Sequence, residues 1–131
     1  MLTELRRIVE SMAEANTLEQ ALQALVSQTR LAMTVDCCSV YVAEPDMRRY
    51  RLAATDGLAE SAVGKATLPF EQGIVGLVGP REELINLADA PSHPSFKFLP
   101  DVAEEAFRSF LGAPIMHQRQ VVGILVVQQK E

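Results

Sequence analysis

The run Val121-Val122-Gly123-Ile124-Leu125-Val126-Val127 is apolar at every position except Gly123. A β-strand sends successive side chains to opposite faces, so a run with no polar phase needs cover on both. This places the run centrally in a sheet, with other elements packed above and below it. A chain of 131 residues has the length of one domain, residues 1–131, and can bury a core without staples.

The rest of the chain supplies that cover. Leu2, Leu5, Ile8, Val9 and Met12 fall at helical spacing. Asn16-Thr17 interrupts the helix, and Thr17 with Gln20 forms a capping-box pattern. Leu18, Ala21, Leu22, Leu25, Val26, Thr29, Ala32 and Met33 then continue a longer amphipathic stripe. Core packing is the expected use of both stripes, since two heptads are too few for a coiled-coil seam. Cys38, Val40 and Val42 alternate with Ser39, Tyr41 and Ala43 as one strand. Tyr50, Leu52 and Ala54 at period two make a second, and Glu44-Pro45-Asp46 turns between them. Residues 58–66 read as a loop. Leu84 to Leu87 is a short strand, and 89–101 is a long proline-containing irregular segment of the kind that often carries function. One helical turn is expected over 101–106. Ser109 to Met116 is a strand in which Pro114 predicts a bulge or an edge. Helices, hairpin, helix and strands in this order predict an α+β fold, an antiparallel sheet of five to six strands with helices on both faces. A further helix is expected to follow the last strand.

Between these elements lies Gly73-Ile74-Val75-Gly76-Leu77-Val78-Gly79, with glycine at every third position. Glycine weakens a helix, so its recurrence points to close packing or to close approach of a ligand. The segment lacks the Gly-Lys-Ser/Thr ending of a phosphate loop. It reads as a short helix on the sheet, stopped at Gly79-Pro80, whose first amides near Gly73 and Ile74 can face a carboxylate.

The candidate site follows from polar residues around that helix. Ser39 and Tyr41 share one strand face, taken as the pocket side because polar groups there can orient a ligand. Asp89 can bind an ammonium group or cap the next turn. Arg108 and Ser109 open a strand and can engage a carboxylate. His93 sits in a stiff proline-flanked turn at the pocket mouth, although solvated turn positions are the simpler reading for both His93 and His117. Phe96, Phe98 and Phe110 supply apolar walls.

Composition excludes several classes. Two histidines and no CxxC make poor metal-site material. Adjacent Cys37 and Cys38 point to opposite faces and read as small buried apolar residues. The formal charge of -5 and the absence of Trp argue against nucleic acid and anionic membranes. No apolar run reaches membrane-span length and no signal-peptide pattern opens the chain, so the cytoplasm is expected. No pairing of nucleophile and base suggests an enzyme.

Several motifs in order resemble a known family. They are Cys38-Ser39-Val40-Tyr41, Phe70-Glu71-Gln72-Gly73-Ile74-Val75-Gly76, Ile85-Asn86-Leu87-Ala88-Asp89-Ala90, His93-Pro94-Ser95-Phe96-Lys97 and Phe110-Leu111-Gly112-Ala113-Pro114-Ile115. Along the whole chain they resemble GAF domains, and in particular the N-terminal GAF domains of nitrogen-related phosphoenolpyruvate-protein phosphotransferases. The resemblance implies a regulatory domain answering to glutamine or 2-oxoglutarate. The phosphorylated histidine, with Mg and phosphoenolpyruvate, would belong to downstream domains, and this domain would hold no cofactor of its own. Its partners would be a small-molecule effector, those downstream phosphotransfer domains, and a second copy paired through the N-terminal helices. The chain lacks the Asn-Lys…Phe…Asp-Glu pattern of cyclic-nucleotide-binding GAF domains and the Cys-His pair of a bilin attachment site. Neither cysteine sits in a polar loop, as the GAF-type methionine sulfoxide reductases need. A ligand-free dimerisation module, built on the stripe Leu2, Leu5, Val9 and Met12, is the alternative.

Overall fold

The computed structural model describes residues 2–70, 73, 75–92 and 107–130. Helix α1 (Leu2–Ala13) and helix α2 (Leu18–Met33) lead into β1 (Cys37–Glu44) and β2 (Arg49–Asp56). Strand β3 (Thr67–Pro69), helix α3 (Val75–Arg81) and strand β4 (Ile85–Leu87) follow. The chain closes with β5 (Ser109–His117) and β6 (Gln120–Gln129). One antiparallel sheet runs in the order β3-β2-β1-β6-β5-β4. The fold is α+β, as expected, with α1 and α2 on one side of the sheet and α3 on the other.

Helix α2 begins where the capping pattern places it. Thr17 Oγ1 accepts a hydrogen bond from the Gln20 amide at 3.1 Å. In return the Asn16 amide donates to Gln20 Oε1 at 2.8 Å, one residue earlier than in the standard box. At the other end Thr34 takes a left-handed conformation, φ 54°, and its amide returns to the carbonyls of Arg30 and Leu31. Arg30 then pairs with Asp56 at 2.5 Å, tying the helix end to the end of β2. Helix α1 departs from expectation. It lies on α2 but buries none of its residues fully, and Leu2, Leu5 and Val9 remain 80%, 56% and 57% exposed. Its stripe is therefore a surface more than a core face.

The sheet feeds two cores. On the α2 side Val26 packs with Cys38, Val40, Ala54 and Val127. On the α3 side Val75 and Val78 pack with Tyr41, Leu52, Ile124 and Val126. Strand β6 is central and covered on both faces, as its sequence requires. Two register shifts decide which residue enters which core. Val40 pairs with Ala54 but Tyr41 pairs with Leu52, so Ala53 is an extra residue in β2. Tyr50 and Leu52 therefore face α3, whereas Ala54 joins the opposite core. The period-two reading that aligned these three residues is corrected by that bulge. In the second shift Ile115 pairs with Gly123 and Met116 with Val121, leaving Val122 extra in β6 and 40% exposed.

Pro114 precedes this second bulge and lies two residues past Gly112, the last β5 partner of β4. Its missing amide hydrogen thus falls where β5 has no neighbour on that side. The β5–β6 turn has positive φ at both Gln118 (51°) and Arg119 (66°), the pattern of a type I′ hairpin without its usual glycine. Strand β3 was not expected. It is three residues long, and Leu68 pairs with Tyr50. Helix α3 passes through Pro80 to Arg81 instead of stopping at Gly79-Pro80. A helix this short loses little to one missing amide.

Leu52 is wholly buried on the α3 side, and Leu31 is 70% exposed on α2. Leu52→Ala should cost about 2–5 kcal/mol of unfolding free energy in urea titration. Leu31→Ala should stay within about 0.5 kcal/mol.

Candidate ligand-binding site

Two sequence-selected residues, Asp89 and Arg108, meet at one end of the sheet. Asp89 Oδ1 lies 3.4 Å from Arg108 Nη1. The backbone holds the pair in place, since the Ala90 amide donates to the Arg108 carbonyl and the Arg108 amide to that of Gln129, each at 2.7 Å. Asp89 Oδ2 also accepts from Ser92 Oγ at 2.6 Å, across the one-turn helix Ala90–Ser92. Ser109 follows Arg108, but its side chain turns to the α2 side, lining a depression with Met33, Leu111 and Gln129. The acid–base pair is about half exposed, and ion pairs of that kind are weak and easily exchanged for a ligand.

Ser39 and Tyr41 lie on the α3 face, but both are buried. Ser39 Oγ is 2.8 Å from Thr55 Oγ1, and Thr55 Oγ1 accepts from the Leu58 amide at 3.2 Å. This chain of bonds fixes the turn after β2, and the Ser39 hydroxyl is spent there. Gly73 precedes α3 with φ 71°, a conformation that a Cβ would strain. Ile74, His93 and Phe96 lie outside the described residues, as do Phe98 and the helical turn expected over 101–106.

Cys37 and Cys38 are free and fully buried, one in each core. Burial pushes the Cys38 thiol up to about 12, and burial likewise raises that of Cys37. Thiols so held are poor nucleophiles. Among the described residues no group of three or more His, Cys, Asp or Glu side chains could hold a metal ion. No described helix is long and apolar enough to cross a membrane.

The opposite end of the sheet holds a feature that the sequence reading missed. A cavity of about 390 Å³ lies between the two hairpin turns and the C-terminal end of α3. Pro45 and Arg48 come from the first turn, Gln120 and Val121 from the second, and Tyr50 and Phe70 form the wall. Arg48 has φ 51°, and its guanidinium sits 5.8 Å from the Phe70 ring centroid. The Phe70 and Tyr50 rings meet at 4.9 Å and 53°. Behind them Glu44 receives Arg49 at 2.7 Å and Arg51 at 3.1 Å. These two hydrogen bonds hold its carboxyl below the usual range. Gly79 closes the roof, for a Cβ there would collide with the Tyr50 hydroxyl. Gly112 plays the same part on β5, where a Cβ would stand 2.9 Å from Val78 of α3. At Gly79 the recurrent glycine thus serves close packing. The available signal was a glycine facing a strand tyrosine, which cannot be seen before the register is known.

A family model of the GAF domain matches residues 17–131. The chain is similar to the phosphoenolpyruvate-dependent phosphotransferase system protein of Escherichia coli strain K12, 56% identical over 121 residues. That match covers 92% of this chain and 16% of the relative, so the chain spans a small part of that protein's length. A solved GAF domain from a phosphoenolpyruvate-protein phosphotransferase of Coxiella burnetii is 46% identical, with a TM-score of 0.93 over 99% of this chain and 77% of that one. The corresponding GAF domain from Acinetobacter is 42% identical, with a TM-score of 0.89 over 99% and 77%. The chain belongs to the GAF domain family, in the branch formed by the GAF domains of phosphoenolpyruvate-protein phosphotransferases.

Two outcomes follow from this geometry. Gly79→Ala should destabilise the fold by about 1–3 kcal/mol, read in denaturant unfolding, because the added Cβ must displace the Tyr50 hydroxyl from its place against α3. The raised thiols favour the protonated folded state. Their contribution should be full below about pH 8.5, where unfolded cysteine is protonated. It should fall as pH rises from there toward about 12. Both thiols should react with a disulfide reagent at the rate of unfolding, and a Cys37→Ser, Cys38→Ser double variant should lose the alkaline slope.

Proposed function

We propose that this chain is the regulatory, small-molecule-sensing domain of a phosphoenolpyruvate-protein phosphotransferase. The observation that carries the reading is its 46% identity to a GAF domain of such a protein across nearly its whole length. The effector is a nitrogen-status metabolite, glutamine or 2-oxoglutarate. The Asp89–Arg108 pair supports glutamine in particular. A free amino acid presents an ammonium and a carboxylate, and these complement Asp89 and Arg108 as they complement each other. A dicarboxylate such as 2-oxoglutarate finds one matching charge in that pair, at Arg108. Ser39, Tyr41 and Gly73 act indirectly, by fixing the face against which α3 packs, and Ser109 acts through the backbone that carries Arg108.

In this reading the domain itself catalyses nothing. The effector favours one arrangement of α3 and the segment after Asp89. Its unequal affinity for two states biases autophosphorylation on a downstream histidine, where phosphoenolpyruvate and Mg act. The domain works in the cytoplasm, apart from membranes and nucleic acid.

The exposed stripe of α1 favours a second reading. Leu2, Leu5 and Val9 suit a homodimer through the N-terminal helices, which makes the chain an interaction module with or without an effector.

Calorimetric titration with glutamine and then 2-oxoglutarate separates these readings. Saturable binding, weakened at least about tenfold by Asp89→Ala or Arg108→Ala, is the expected result. A folded chain that binds neither would sink the nitrogen-sensor reading. Loss of a dimer in Leu5→Glu, Val9→Glu by sedimentation would then bring the interaction module forward.

A further inference from the structure

Hydrogen bonds lead from the Asp89–Arg108 corner, residue by residue, to the C-terminal end of helix α2. The Ala90 amide, next to Asp89, donates to the Arg108 carbonyl, and the Arg108 amide donates to the Gln129 carbonyl, each at 2.7 Å. Gln129 Nε2 then donates to the Thr34 carbonyl at 3.4 Å, across 95 residues of sequence. Beside it the Lys130 amide donates to Asp36 Oδ2 at 2.8 Å. Thr34 is the left-handed residue that closes α2, and its amide returns to the Arg30 and Leu31 carbonyls. The Val35 amide also reaches the Arg30 carbonyl, at 3.3 Å. Gln129 thus meets the corner through its backbone and the helix cap through its side chain.

We propose that Gln129 and Asp36 form a clasp that carries the state of the Asp89–Arg108 corner to the C-terminal cap of α2. The clasp rests on the sensor reading of that corner and supplies the means by which it is read out. By its chemistry the corner has two arrangements. Acid and base pair with each other, or each turns to the opposite charge of a ligand. The pair is about half exposed, so the difference between these arrangements is small enough for a ligand to decide. The Arg108 peptide is held on both sides, by Ala90 and by Gln129, so a pull on its guanidinium has a short path into β6. The strand itself does not need the Gln129 side chain, because Ser109 and Gln129 already pair through their backbones. That side chain serves the helix instead. The last carbonyls of a helix lack partners within it, so the cap is where α2 can be loosened at least cost. Helix α1 lies on α2, and a change at the cap is passed to the helical layer. Gln129 is a positioning residue in this scheme and touches no effector.

Amide hydrogen exchange of the intact chain tests the clasp without any effector. Asp89→Ala removes the acid and leaves the corner open. It should speed exchange of the Thr34 and Val35 amides by about threefold. The Arg48 amide, bonded within the first hairpin turn, should keep its rate. Gln129→Ala combined with Asp36→Ala should speed the Thr34 and Val35 amides at least as much. Asp36 is exposed and Gln129 partly so, which leaves the fold intact. Asp89→Ala added to that double variant should then change the two amides no further. A merely structural role for Gln129 would give additive effects instead. Gln129→Ala alone should show the same non-additivity in smaller measure. Unchanged exchange at Thr34 and Val35 in Asp89→Ala would overturn the proposal, and so would additivity. Glutamine titration is read separately. A chain that binds no glutamine but shows the non-additivity keeps the clasp and loses the sensor reading. One that binds glutamine but shows additivity keeps the sensor reading and loses the clasp.

Discussion

Two central strands must each serve two cores at once, and the rest of the molecule is arranged around that demand. Strand β1 gives Cys37 and Tyr41 to the α3 side, and Cys38 and Val40 to the α2 side. Strand β6 divides Ile124 and Val126 from Leu125 and Val127 in the same way. A strict two-residue alternation would commit the whole of β2 and β6 to one phase. The bulges at Ala53 and Val122 change phase partway along each strand. Each core thus receives large side chains at the level where a helix can cover them. Helix α2 reaches across β1 and β2, and α3 lies over β5 and β6.

Where periodicity alone decided the structure, the sequence was a good guide. The apolar run of β6, the capping of α2 by Thr17, the first hairpin and the short strand before Asp89 all follow from local pattern. The reading failed where a tertiary partner decides. Ala54 looks like the companion of Leu52 until the bulge sends it to the other face. Thr67–Pro69 is too short and too polar at its ends to announce a strand, and it exists because Tyr50 offers Leu68 a neighbour. The stripe on α1 has the periodicity of a core face, but hydrophobic pattern does not say whether its cover lies within the chain.

The candidate site was legible by halves. Asp89 and Arg108 were chosen for their charges and do meet, although both are already engaged with each other and with the local backbone. Ser39 was chosen as a polar group on a pocket face, but Thr55 satisfies it across the strand pair. The cavity at the hairpin end gave no sequence signal. Its walls come from two turns and a helix end, and only the sheet register brings Arg48, Gln120 and Gly79 together. Gln118 and Arg119 hold positive φ without the glycine that usually marks such a turn.

The short outer strands have a consequence for how such a domain behaves in company. Both margins of the sheet, β3 and β4, are three residues long, and β3 ends in Pro69. An intruding chain would find only a few free backbone donors and acceptors to pair with, which is one way that β-proteins resist edge-to-edge association. Copies held at high local concentration can therefore meet through helices without exchanging strands. Any contact between copies is thereby steered away from the sheet margins, toward surfaces that offer no strand to exchange.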